Sequence, residues 1–333
     1  MGVFHFLNVK NGDCSIIQHP SGHVSVFDIC NGSAIADEKN YELKKIVREA
    51  VVETLSVSGN FNQKSLPVNP IRYLKEFGVD KVFRFILTHP DMDHMSGIKV
   101  LFDIFKPQNF WDTDNTCEKE FEEGSPYDPE DWEFYKKMRD ENPQSDPRRL
   151  VLYSGSRGHH YNHDENGKGG GDGLYILSPT KKLVEEGNDA EDYNDSSYVI
   201  LYRSKGGKIL LAGDSHDKTW DHILKNHSDD VKDIDVLIAP HHGRKSDRSY
   251  DFLDVLKPKL TLFGNADSEH LAYDAWNSRK LPFITNNQAN CVVIDTNAQP
   301  MDVYVTNKKF AESYNEFTFY SDEFKAYFID QVA

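Results

Sequence analysis

THPDMDHMSG, residues 88–97, places two histidines and two aspartates within six positions, directly behind the apolar run KVFRFIL at 81–87. An apolar run of that length predicts a buried strand, and the following MSGIKVLFDIF predicts a helix. A strand that delivers His89, Asp91, Asp93 and His94 into one turn offers imidazole nitrogen and carboxylate oxygen together. That donor mixture suits zinc, manganese or iron(II). Alone, such a cluster has an ordinary reading: His-x-Asp is commonly a solvated turn, and an Asp before a helix is commonly its N-cap.

Two further clusters argue against the ordinary reading. KILLA (208–212) runs into Gly213-Asp214, and DVLIA (235–239) runs into Pro240-His241-His242-Gly243. Strands that leave a sheet at one edge can converge there on a single point. His89 and Asp91 then serve one cation position and Asp93 and His94 a second, with Asp214 placed to bridge them. Gly97 permits a close backbone approach. The expectation is two divalent ions, Zn²⁺ or Mn²⁺.

Composition bounds the rest. Of 333 residues, 38% are hydrophobic and 12% aromatic, enough for a substantial core in one large domain or two ordinary ones. No window approaches the roughly 18 apolar residues of a membrane span. The opening MGVFHFLNVKNGD shows no secretory pattern. The expected location is therefore cytoplasmic, with no membrane partner. Four widely spaced cysteines read as reduced thiols rather than a disulfide framework. A net charge of −16 opposes non-specific binding to phosphate backbones. Candidate phosphate-facing cations are Arg244, Lys245 and Arg248, with Arg157 and Lys168 farther away.

The first thirty residues alternate in hydrophobicity and break at N-G and P-S-G, which predicts a three-strand meander. Helices are predicted at 38–56, 70–77, near 129–140 and at 217–227. Strands are predicted at GLYILSP, in the hairpin SSYVILYRS–KILLAGD, and near 259–264, 281–285 and 290–295. The charged stretch 107–172 ends in SGSRGHHYNHDENGKGGGDG, read as a mobile Gly-rich loop carrying His159, His160 and His163. Those three histidines could also form a separate site or lend a ligand to the first cation. The last residues, 308–333, read as helical. Helices between groups of strands predict an α/β layered domain.

HPDMDHMSG, NDSSYVIL, LLAGD and APHHG, in that order, resemble the metallo-β-lactamase superfamily. The nearest branch is the hydrolase domain of the competence DNA-uptake protein ComEC, which carries aspartate, here Asp91, where the superfamily has its second histidine. FHFLNVKNGDCSIIQ and FDIC, with Asp28, resemble the opening of that branch. The likeness covers about 1–305 in pieces. It implies an αββα sandwich: a hydrolase domain over 1–307 with an insertion at about 107–172, and a C-terminal helical extension at 308–333. It also implies that His89 and Asp91 hold one metal, that Asp93, His94 and His241 hold the other, and that Asp214 bridges. Asn194 and Ser197 fall in an Asn-Asp-x-Ser motif as substrate-binding candidates.

The implied activity is that of a phosphodiesterase or nuclease using a metal-activated water. In it Asp93 ligates and orients the water, and His242 either donates a proton or supports the site from behind. Arg244 and Lys245 would receive substrate phosphate, while His216 is expected behind the site and His270 has no clear part. The alternatives are a hydrolase of a small ester, lactone or cyclic nucleotide, and a vestigial metal-binding module.

Overall fold

The computed structural model describes residues 2–35, 38–55, 59–141, 147–246, 248–266 and 270–332. Its strands are β1 Val3–Phe6, β2 Ser15–Gln18, β3 Val24–Phe27, β4 Arg84–Ile86, β5 Asn109–Asp112, β6 Arg148–Val151, β7 Leu174–Ser178 and β8 Val199–Arg203. They continue with β9 Lys208–Leu211, β10 Val236–Ile238, β11 Leu260–Phe263, β12 Phe283–Thr285, β13 Val292–Asp295, β14 Met301–Val305, β15 Tyr320–Ser321 and β16 Ala326–Val332. A ten-stranded sheet runs in the order β15-β16-β14-β13-β1-β2-β3-β4-β5-β6, and a six-stranded sheet in the order β12-β11-β10-β9-β8-β7.

Period-2 alternation assigns each strand's side chains to two different layers. Ile86, Leu211 and Ile238 point between the sheets and join Phe4, Phe6 and Phe27 in the inter-sheet core. Their neighbours Phe85, Leu210 and Leu237 point outward. Phe85 packs under Leu74, Leu101, Phe102 and Trp132, which belong to α2 (Pro70–Glu76), α3 (Ile98–Phe105) and α4 (Pro129–Asp140) once α1 (Glu38–Leu55) is passed. Leu210 and Leu237 pack under Trp220 and Ile223 of α6 (Asp217–Asn226), which follows α5 (Lys181–Ala190). The result is an α/β/β/α sandwich, the fold class expected. Strands covered on both faces explain the unbroken apolar runs of the sequence, and each fully buried Leu, Ile or Phe contributes about 1.5–3 kcal/mol.

The predicted helices appear at Glu38–Leu55, Pro70–Glu76, Pro129–Asp140 and Asp217–Asn226; Ser56, the last residue of the first prediction, lies outside the described residues. The chain end differs from expectation. A helix does form at Lys308–Tyr314, but Ala326–Val332 is a strand paired antiparallel to β14. Residues 308–332 therefore contribute a short helix and strands that complete the large sheet rather than a helical extension. Residues 107–172 likewise supply β5 and β6, which pair parallel at the other end of that sheet.

The Gly-rich stretch forms no helix or strand and is largely exposed or half-buried, as expected of a loop, but its end is tied to the sheet. Asp172 pairs with buried Arg84 at 2.5 Å and with His23 at 2.8 Å, and the Arg84 guanidinium also donates to the His160 carbonyl. Breaking a buried pair of this kind costs several kcal/mol, so the turn segment is pinned to the sheet.

Candidate metal centre

Parallel pairing of β3 with β4 and of β9 with β10 makes these strands leave their sheets in one direction. Their C-terminal ends carry Asp28, His89, Asp214 and His241-His242, and the β1–β2 turn adds Asp13. Gly12 makes that addition possible: a Cβ there would lie 1.7 Å from the Asp93 carbonyl oxygen. Gly97 does allow a close approach, but to Gly32, with φ of +104°.

Three imidazoles are held so that Nε2 faces the centre. Thr88 donates its hydroxyl hydrogen to Asp28 Oδ2 at 2.8 Å. Its oxygen must then accept from His89 Nδ1, 3.1 Å away, which leaves the His89 Nε2 lone pair free. His94 Nδ1 lies 2.8 Å from the same Asp28 carboxylate. His242 Nδ1 lies 3.0 Å from Asp13 Oδ1, as an ion pair outside good hydrogen-bond geometry. A carboxylate or hydroxyl behind a histidine fixes its ring and raises its basicity as a ligand.

The free Nε2 atoms converge on acidic oxygens. His89 Nε2 is 3.3 Å from Asp91 Oδ2 and 3.7 Å from Asp214 Oδ2, and His94 Nε2 is 3.3 Å from Asp214 Oδ1. His242 Nε2 is 3.5 Å from Asp93 Oδ2 and 3.7 Å from Asp214 Oδ2. His89 Nε2, His94 Nε2, His242 Nε2 and Asp214 Oδ1 are all buried without a hydrogen-bond partner. Buried polar atoms are rarely left unsatisfied; four of them facing one another fit a place for cations. His89-His94-Asp214, Asp93-His94-His242 and Asp13-Asp214-His242 each bring three donor atoms within 4.8 Å.

His241 is built the other way. Arg248, which can only donate, directs Nη2 to His241 Nδ1 at 3.2 Å and Nη1 to the Ser215 carbonyl at 2.7 Å. The proton of neutral His241 is therefore on Nε2, 3.6 Å from Asp214 Oδ2. As placed, that Nε2–H is directed at the Asp214 carboxylate. The geometry thus brings His242 Nε2 to both Asp93 and Asp214, while His241 Nε2 faces Asp214 from the more exposed side. The exposures agree: the His242 side chain is 0% exposed and that of His241 27%. Both residues adopt left-handed φ, 53° and 57°, at a cost of about 1–2 kcal/mol each.

Electrostatics follow the same division. Burial opposes charge on His242, yet Asp13 and Asp214 outweigh it and push its pKa up to about 10. Burial likewise opposes charge on His94, and Asp214 with Asp28 raises it well above the usual range. Burial raises Asp93, but His242 and His94 bring it down to about 2. Asp214 falls well below the carboxylate range, as His242, His94 and His89 overcome its burial. Burial lowers His241 to about 4 and keeps it neutral.

A pH prediction follows. The acidic groups around His94 and His242 favour their protonated rings, so a cation must compete with protons for these nitrogens. Cation affinity should keep climbing from pH 7 to 9, with proton release visible by calorimetry in buffers of different ionisation heat. A plateau above pH 7.5 would show imidazoles that are already neutral.

The other candidates lie farther out. Asn194 lines a cleft of about 560 Å³ that starts at Asp91 and is bounded by residues 116–120 and 188–194. Ser197 is buried against Gly213, its hydroxyl unpartnered. Lys245 is exposed, its backbone N–H donating to the His270 carbonyl, and Arg244 is half-buried. His216 is half-buried at the start of α6. His159, His160 and His163 join none of the donor groups; His160 stands near His23 and Phe83, at the opposite end of β4.

Two contributors escaped the sequence reading. Asp13 looked like part of an N-G-D hairpin turn, and Lys119 lies in the charged stretch. Lys119 Nζ donates to Asp91 Oδ1 at 2.7 Å.

No family model and no curated protein matches the sequence. Solved structures resemble it in chain path. Igni18, a novel metallo hydrolase from the hyperthermophilic archaeon Ignicoccus hospitalis KIN4/I, is 11% identical over 88% of this chain and 99% of that one, with a TM-score of 0.46. Tm1679, a metal-dependent hydrolase of the β-lactamase superfamily, is 12% identical over 86% and 96%, at 0.43. CmlA, a diiron β-hydroxylase from Streptomyces venezuelae, is 11% identical over 85% of this chain and 52% of that one, at 0.42. The chemistry of the present centre stands on its own side chains.

Proposed function

We propose that this protein is a metal-dependent hydrolase of phosphodiesters, with two divalent cations, Zn²⁺ or Mn²⁺, among His89, Asp91, Asp93, His94, Asp214 and His242. The observation that carries this reading is the set of buried, partnerless Nε2 and Oδ1 atoms facing one another. Such cations lower the pKa of a water and neutralise charge gathering on phosphoryl oxygens. Asp214, whose carboxylate faces both halves of the cluster, is the bridging candidate. Asp93, a quarter exposed at the cluster's edge, can orient the attacking water. His241 presents Nε2–H to a non-bridging or leaving oxygen, and Arg248 holds its ring for that purpose.

Phosphodiester chemistry is favoured by the HPDMDH and PHHG motifs and their likeness to the ComEC hydrolase branch. Residence in a reducing cytoplasm fits four cysteines that are all free and buried, and among the described residues no helix is long and apolar enough to cross a membrane. The cleft bears on substrate size. Asp91, Glu118, Glu120, Glu191 and Asp192 line it, which disfavours a long polyanion and favours a compact diester over duplex DNA.

The test is a substrate panel under Mn²⁺ or Zn²⁺: bis-p-nitrophenyl phosphate, linear single-stranded DNA, plasmid and a simple lactone. Metal-dependent cleavage of the diester is expected, and lactone cleavage without it would replace this reading with the small-ester one. Replacing Arg244 and Lys245 together with Ala should raise KM for the phosphodiester while kcat holds; unchanged kinetics would remove them from the substrate path.

A further inference from the structure

We propose that Lys119 couples the cleft to the first cation position. Its ammonium occupies Asp91 until a substrate anion draws it away, and Asp91 is then free to bind the ion. The inference rests on the metal-centre reading above.

Asp91 is shared between two claims. Its Oδ2 lies 3.3 Å from His89 Nε2, inside the candidate centre, while its Oδ1 takes the Lys119 ammonium at 2.7 Å. A lysine on that oxygen is a positive charge where a cation would otherwise be drawn. No lysine or arginine competes in this way at the second position: among the described residues, none forms an ion pair with Asp93 or Asp214. The ammonium on Asp91 therefore sets the first position apart from the second.

The same ammonium faces the cleft. Asp91 and Lys119 both line it, and Lys119 is the one cation among its lining residues. Their side chains are 40% and 24% exposed, so the pair is reachable from solvent. The chain just before Lys119 is tied to α4: the Cys117 carbonyl accepts from Arg139 Nη1 at 2.6 Å, and the Asn115 side chain donates to Tyr135 Oη at 2.6 Å. Motion is left to the four-carbon stem, whose ammonium is a movable point charge. An anion entering this acidic cleft meets a single cation, and on binding it relieves Asp91. Coupling of this kind is reciprocal: a cation beside His89 raises anion affinity by the factor by which the anion raises cation affinity.

The test is titration of the metal-free protein with Mn²⁺, following free ion by electron paramagnetic resonance, with and without inorganic phosphate. The native protein should bind one ion tightly and a second more weakly. K119M should tighten the weaker step about two- to fivefold, the effect of losing one partly screened ion pair, and K119R should behave as native. Phosphate should narrow the gap between steps in the native protein more than in K119M. A weaker step that K119M leaves unchanged or loosens overturns the proposal, and so does phosphate tightening both proteins equally. Failure of the native protein to bind Mn²⁺ or Zn²⁺ at all would instead defeat the metal-centre reading.

Discussion

Asp214→Asn should release both cations and lower hydrolysis by at least about 10³-fold, or about 4 kcal/mol of transition-state stabilisation. The carboxylate of Asp214 lies 3.3 Å from His94, 3.6 Å from His241 and 3.7 Å from both His89 and His242. Among the described residues no other carboxylate pairs with all four rings, so no described neighbour can take over its charge. Asparagine keeps the volume and one oxygen, which separates loss of charge from loss of packing. Metal content after dialysis and kcat on a diester together check the outcome. Retention of both ions and of full activity would remove Asp214 from the bridging position.

The two adjacent histidines should respond in opposite ways. His242→Ala removes a ring whose Nε2 points at Asp93 and Asp214, and cation affinity should fall by more than the 10–100-fold typical of a supporting group. It also leaves Asp13 buried without its partner, so some loss of thermal stability should accompany it. His241→Ala should keep both cations and cost on the order of 10² in kcat, the effect of losing one positioned hydrogen-bond donor. Arg248→Met should follow His241→Ala in direction, since the guanidinium fixes which nitrogen of that ring carries the proton. Metal titration beside steady-state kinetics distinguishes the patterns. Metal loss in His241→Ala with metal kept in His242→Ala would restore the roles that the sequence motif implied.

These two adjacent histidines mark the limit of what the sequence makes legible. The clusters behind β4, β9 and β10 were legible because a buried strand writes itself as an apolar run, and its end is then a fixed address in space. Which of two adjacent histidines turns inward depends on left-handed φ at both and on Asp13 and Arg248, neither of which neighbours them in a motif. The terminal strand was misread for a definable reason. Ala326, Ile329 and Val332 are its buried residues, spaced three apart as on a helix. A bulge produces that spacing, since Val303 pairs with Asp330 and Tyr304 with Phe328, leaving Ile329 extra. Lys119 carried no signal at all, because its meaning comes from Asp91, 28 positions away.

The most direct measurement is a crystal structure of the protein reconstituted with Mn²⁺, with data collected for the anomalous signal of manganese. Two anomalous peaks per chain are predicted, one beside His89 and Asp91 and one beside Asp93, His94 and His242, with Asp214 reaching both. Manganese bound elsewhere, or these side chains still facing one another with no peak among them at saturating ion, would contradict the account.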